Sequence, residues 1–200
     1  MGLAIAYLII AIYTIALLII FFYSLAQLNL LINYLSYKRL NEEAPKFNLL
    51  DPKEIPLVTI QLPIYNEKYV VERLLDNIAQ IEYPKSKLEI QVLDDSTDDS
   101  VQETADRIKA LQETGLDIQH ITRENREGFK AGALKEGLIT AKGDFIAIFD
   151  ADFLPDSDWL KKTVIYFKDE EIGVVQTRWG HINRDYSTLT KIQAFALDAH

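Results

Sequence analysis

Four clusters in this sequence hold residue types that handle phosphate, metal or a ring system. "FDADF" closes an apolar run with Asp150 and Asp152, separated by Ala151. In extended backbone, alternate residues face the same way about 6–7 Å apart, so both carboxylates would address one space. Paired hard oxygens suit Mg2+ or Mn2+, which keep several waters and take further ligands from a diphosphate. A bare Asp-x-Asp is common in loops, so its weight comes from what stands beside it. "QVLDDSTDDS" brings Asp94 and Asp95 straight out of a second apolar run, followed by Asp98 and Asp99. The later pair is accounted for by the dipole of the helix it precedes. A turn alone needs a single Asp or Asn, whereas Asp94 and Asp95 together offer acceptors for a ring N–H or a ribose hydroxyl.

"RENREGFKAGALKEG" gathers Arg123, Arg126 and Lys130 around a helix start. Cations at a helix amino terminus suit phosphate. A solvated basic face explains Arg123 and Arg126 equally well, but fits Lys130, set among small and apolar residues, less closely. The order Gly-Lys-Ser/Thr is missing, so this is no Walker loop. Gly128 and Gly132 permit a tight turn or a close backbone approach. In "QLPIYNEK", Tyr65 offers a face for a nucleobase. Glu67 either accepts from ligand hydroxyls or caps the next helix. His120, His181 and His200 have no ligand spacing and read as structural. Trp159 and Trp179 read as packing aromatics, with Trp179 open to a further role beside a strand end.

The elements that must position these clusters alternate. Strands are expected at 57–62, 88–93, 117–122, 144–149 and 172–179, and helices at 67–81, 100–114, 129–141 and 157–168. Ser100 and Glu103 fit a reciprocal capping box at the second of these helices. The alternation predicts an α/β fold, a mostly parallel sheet with helices on both faces. Ligands of such sheets sit outside the carboxyl ends of the strands. All four clusters fall just after expected strand ends.

Ahead of this body lies a different object. All 21 basic and 30 acidic residues lie from Lys38 onward, and residues 3–22 are apolar but for Thr14 and two tyrosines. At about 1.5 Å per residue that run crosses a hydrocarbon core of roughly 30 Å. The expected organisation is a transmembrane helix with an interfacial extension at 1–37, a linker at 38–56 with three prolines, and a catalytic-type domain at 57–200. A cleavable signal peptide would need a basic start and a shorter apolar stretch. Lys38, Arg39, Lys46 and Lys53 follow the span, which puts the body on the cytoplasmic side and the span in membrane lipid. The lack of cysteine excludes disulfides. A net charge of −9 without a basic stripe argues against nucleic acid as a partner.

"PIYNE", "VLDDS", "GFKAGAL" and "FDADF", in that order, resemble a family 2 glycosyltransferase with the Rossmann-like GT-A fold. The longer strings "QVLDDSTDDS", "KAGALKEGL", "AIFDADFLP" and "VQTRW" are most similar to the cellulose-synthase-like branch that includes glucomannan and mannan synthases. The resemblance runs over roughly residues 57–200. It implies Tyr65 and Glu67 at the nucleotide's base and ribose, Pro63 in the same nucleotide-sugar site, Asp94 and Asp95 on the nucleotide, and Lys130 near the diphosphate. It implies Asp150 and Asp152 as holders of Mg2+ or Mn2+, with Asp150 also against the nucleotide sugar. The implied reaction is inverting hexose transfer from GDP-mannose or UDP-glucose to a β-linked polysaccharide or other glycan acceptor. Two family motifs are missing, the later Thr/Ser-Glu-Asp that carries the general base and the Gln-x-x-Arg-Trp of acceptor binding. "QTRW" is one residue too short for the second. The base is therefore expected beyond His200, and the chain is expected to be an amino-terminal fragment or a truncated gene product that at best binds donor and does not polymerise. Two alternatives stand beside this reading. One is a non-catalytic nucleotide-sugar-binding fragment. The other is a haloacid-dehalogenase-type phosphatase, which also ends a strand in Asp-x-Asp but leaves the "VLDDS" loop unexplained.

Overall fold

Four short parallel strands form the sheet around which the body is built. A computed structural model describes residues 2–40, 54–178 and 180–198. The chain divides into two compact units, Met1–Phe47 and Asn48–His200. In the first, helix α1 runs over Gly2–Leu40. Its large apolar side chains from Leu3 to Leu35 are exposed all round. A helix apolar on every side, its large side chains exposed, matches a hydrocarbon surrounding. The window Gly2–Ser36 has a mean hydropathy of 2.8 and is long enough to cross a membrane. The helix continues past residue 37 to Leu40, and most of the expected linker lies outside the described residues.

In the second unit the strands are β1 (Val58–Ile64), β2 (Leu88–Asp94), β3 (Asp117–Thr122) and β4 (Phe145–Ile148). Their order across the sheet is β3-β2-β1-β4. Every pairing is parallel, with Ile64 opposite Asp94 and Asp94 opposite Thr122, so three strands end on one level. Helices α2 (Val71–Ala79), α3 (Ser100–Glu113), α4 (Phe129–Thr140), α5 (Trp159–Val164) and α6 (Thr188–Asp198) complete the unit, a 3-10 turn following α5. The strand expected at 172–179 is not formed. Residues 172–178 have no regular structure, Trp179 lies outside the described residues, and β4 remains an edge with only four residues.

Strand alternation sorts the side chains onto two faces. Val58, Ile60, Leu62, Leu88, Ile90 and Val92 join Leu74, Ile78, Ile108, Leu111 and Leu160 in the apolar core. The opposite face, under α4, is polar though buried. Gln61 Nε2 donates to Gln91 Oε1 at 3.0 Å, and Thr59 Oγ1 donates to Glu89 Oε2 at 2.6 Å. Lys142 Nζ lies 3.2 Å from Glu89, so the buried carboxylate is both paired and hydrogen-bonded. α4 approaches this layer closely, because a Cβ on Gly137 would stand 2.7 Å from Leu93 and 2.8 Å from Gln61 and Gln91.

The expected capping box at α3 does not form. Asp99 holds the cap position without a side-chain bond, and Glu103 pairs with Lys68 at 3.0 Å. Asp98 takes the local role instead, its Oδ1 accepting from the Ser100 N–H at 3.1 Å. The acid just before the helix is nearer to the orphan donors than the glutamate inside it.

Candidate active site

The chain direction across the sheet reverses beside β1. From β1 it moves to β2 and then β3 on one side, then crosses back to β4 on the other. The crevice between the carboxyl ends of β1 and β4 is therefore the switch point at which open α/β sheets hold ligands. A pocket of ≈ 440 Å³ lies there, lined by Pro63, Tyr65 and Glu67 after β1, Asp95 after β2, Arg126 and Lys130 at α4, and Asp150 and Asp152 after β4. Of the eight site residues that the resemblance implies, seven line one cavity, all but Asp94.

Asp94 and Asp95 part company because consecutive strand residues face opposite ways. Asp94 turns to the side of the sheet that carries the apolar core and is 2% exposed. Its Oδ2 accepts from His120 Nε2 at 2.8 Å, and its Oδ1 from the Ser96 N–H at 2.9 Å. Burial pushes this carboxyl up, but the bonds from His120 and Ser96 outweigh it and hold the group below its usual range. Asp94 thus fixes the loop after β2 from beneath, and His120, which has no ligand spacing, is its partner. Asp95 turns to the α4 side. Arg123 Nε donates to its Oδ1 at 2.9 Å, and Arg123 Nη2 pairs with Oδ2.

Arg123 is spent on structure. Besides Asp95 it donates to the carbonyl oxygens of Glu127 at 3.0 Å and Phe129 at 3.1 Å. One guanidinium therefore ties the loop after β3 to the loop after β2, a use its planar fork of donors suits. The loop is tight. Gly128 (φ 71°) and Phe129 (φ 50°) are both left-handed, and Gly132 gives the space into which the Glu127 carbonyl folds. Lys130, one residue into α4, pairs with Asp150 across the pocket.

A second tie aligns the β1 and β2 loops. Asn66 (φ 55°) accepts at Oδ1 from the Thr97 N–H at 2.9 Å, and its own N–H donates to Ser96 Oγ at 2.8 Å. Asn66 was not singled out from sequence; an Asn tolerates the left-handed region, which is the signal it carried. Glu67 does not cap α2, whose cap position is Val70 with no side-chain bond, so it stands at the pocket. The Asp150–Asp152 geometry also differs from the extended spacing expected. The Phe153 N–H donates to Asp150 O at 3.0 Å, so a turn, not a strand, presents the two carboxylates. Trp159 packs edge-on against Phe149 at 4.8 Å and is a core aromatic.

Two carboxylates on one turn are too few for a dedicated protein cage, and among the described residues no group of three or more His, Cys, Asp or Glu gathers. All-oxygen donors at the mouth of a pocket fit a Mg2+ or Mn2+ ion that completes its shell with water and phosphate.

The model of Glycosyl transferase family 2 matches residues 59–197. The chain is 38% identical over 169 residues to glucomannan 4-beta-mannosyltransferase 1 of Cyamopsis tetragonoloba, which is 82% of this chain and 32% of that protein. It is 42% identical over 150 residues to probable glucomannan 4-beta-mannosyltransferase 4 of Oryza sativa subsp. japonica, covering 72% and 27%. The chain thus spans about a third or less of the length of these relatives. Among solved structures, the mannosyltransferase PcManGT from Pyrobaculum calidifontis, in complex with GDP-Man and Mn2+, matches with a TM-score of 0.60 at 33% identity, over 78% of this chain and 44% of that one. TarS of S. aureus, at a TM-score of 0.55 and 23% identity over 64% and 22%, shares the fold.

Proposed function

The chain belongs to glycosyl transferase family 2 and has its GT-A fold, and from that premise we propose that it holds the donor-binding half of a membrane-anchored inverting hexosyltransferase. The donor is a nucleotide sugar, GDP-mannose ahead of UDP-glucose, and the acceptor a growing β-linked glycan. Named relatives are glucomannan mannosyltransferases, and the solved neighbour carries GDP-Man with Mn2+, which supports the mannose donor. The observation that carries the reading is the meeting of Tyr65, Glu67, Asp95, Lys130, Asp150 and Asp152 in one pocket at the switch point of the sheet.

In this reading each residue has a physical task. Tyr65, 39% exposed, offers its ring to the base. Glu67 and Asp95 accept from ribose hydroxyls or base N–H groups, with Arg123 holding Asp95 in place. Asp94 acts one layer down, keeping the β2 loop in register through His120. Lys130 leaves Asp150 for the diphosphate as the donor enters. Asp150 and Asp152 would hold a divalent ion, which when bound would supply Lewis-acid stabilisation to the nucleoside diphosphate leaving group. Helix α1 anchors the chain in lipid, and the basic residues from Lys38 onward favour a cytoplasmic body. Family membership favours this transferase over the phosphatase alternative.

Calorimetric titration of the purified chain with GDP and UDP, with and without Mn2+, tests the reading. Metal-dependent binding of one of them is expected. A folded chain that binds neither, or that turns over a phosphate monoester, would refute it.

A further inference from the structure

The seat that a base would take on Tyr65 is already filled. The guanidinium carbon of Arg126 stands 3.3 Å from the centroid of the Tyr65 ring, at the distance of a stacked plane. It is also 5.2 Å from the Phe129 ring. Among the described residues its other contact is a long ion pair with Asp95. Its Nε is buried without a hydrogen-bond partner, and the carboxylate nearest to it, Asp95, is 3.8 Å away and already engaged by Arg123. The backbone around it, by contrast, is fixed. The Phe129 N–H donates to Arg126 O at 3.0 Å, and Arg123 grips the carbonyls of Glu127 and Phe129. Arg126 is therefore a loosely held planar cation on a rigid mount, facing a pocket shared with Lys130, Asp150 and Asp152.

We infer that Arg126 is a two-position residue that couples base recognition to diphosphate recognition. With the pocket free, it covers Tyr65 and satisfies the ring's face with a cation–π contact. A base entering on Tyr65 displaces it, and the guanidinium, its Nε no longer without a partner, turns to the diphosphate, where a planar fork pairs with phosphate oxygens. A nucleoside without phosphate must evict the arginine and gives it nothing in return. A nucleoside diphosphate evicts it and rehouses it. Arg126 is thus a specificity-determining residue that selects against unphosphorylated or hydrolysed ligands, and the inference rests on the nucleotide reading of the pocket given above.

The test uses the full chain and the variants Arg126→Ala and Arg126→Lys, with guanosine, uridine, GDP and UDP as probes and Mn2+ present. Saturation-transfer NMR reads the weak nucleosides and calorimetry the diphosphates. Arg126→Ala is expected to bind the nucleoside roughly two- to fivefold more tightly, the equivalent of an exposed cation–π contact removed. The same variant is expected to bind the matching diphosphate about tenfold or more weakly, the loss of a charged hydrogen bond. Arg126→Lys, which keeps charge but not the plane, should fall between wild type and Ala on both probes. A nucleoside signal no stronger in Arg126→Ala than in wild type, including none in either, overturns the inference, as does unchanged diphosphate affinity. Wild type that binds neither diphosphate refutes the nucleotide reading itself. Wild type that binds one, with no opposed shifts in the variants, refutes only the role of Arg126.

Discussion

Replacing Gly132 by alanine would test how the loop between β3 and α4 is built. A Cβ at this position would stand 1.9 Å from Glu127 O and 2.8 Å from Arg123 Nη1. The first atom belongs to the backbone and is about an ångström or more inside contact distance, so the loop itself must move. Moving it breaks the bond from Arg123 Nη1 to Glu127 O, 3.0 Å in the native chain. A hydrogen bond to a charged donor contributes about 1.5–3 kcal/mol. Overpacking strain adds about 1–3 kcal/mol. Alanine returns up to about 1 kcal/mol of helix propensity to α4. The net loss is about 2–5 kcal/mol, which for a unit of this size lowers Tm by roughly 5–15 °C. Near-UV circular dichroism of the detergent-solubilised chain gives the melt, and calorimetry with the bound diphosphate gives the affinity. Arg126 and Lys130 flank the displaced segment, so binding should weaken together with stability. A Gly132→Ala chain that melts with wild type and binds the diphosphate as tightly would show that the loop does not depend on this close approach.

Three further outcomes follow from other residues. Asp150→Asn and Asp152→Asn should each abolish the Mn2+ dependence of diphosphate binding while leaving the melt within about 1 °C, since surface changes of this kind rarely move stability; retained metal dependence in both would remove the pair from the metal's shell. Asp94 is held below the usual carboxylate range, so its stabilisation is complete above the unfolded pKa of about 3.9 and is lost as pH falls through the lower folded value. Urea midpoints between about pH 5 and pH 2 should therefore drop less steeply in Asp94→Asn than in wild type, and parallel curves would contradict that assignment. On the alkaline side, burial first and the nearby Asp144 charge second push the Tyr83 phenol up to about 12. Its O–H donates to Pro56 O at 2.8 Å. A raised folded pKa stabilises below the unfolded value of about 10 and is lost as pH rises towards the folded one, so Tyr83→Phe should lack that part of the alkaline decline.

What sequence alone determined here is the part of the protein written in local periodicity and residue type. The apolar run of α1, the alternation that makes β1 to β4 parallel strands, and the clusters at their ends are all near-neighbour patterns. Strand ends in such a sheet converge by topology, so loaded strand ends already imply a shared pocket. Side-chain alternation then divided Asp94 from Asp95, a consequence of strand phase that becomes visible only once β2 is paired and its two faces are known. The strand expected at 172–179 failed because an edge strand needs a partner along its length, and β4 is only four residues long. The capping box at α3 failed because Glu103 found Lys68, a residue over thirty positions away by sequence. Tertiary structure alone decided which cation does which work. As a string, Arg123, Arg126 and Lys130 are all positive and all near one helix start, and only Lys130 is set apart, by its small and apolar neighbours. Folding spends the first on Asp95 and two carbonyls, stacks the second on Tyr65 and sets the third on Asp150. The reason is physical: a charged side chain takes its role from the partners within a few ångströms, and those partners come from β1, β2 and β4.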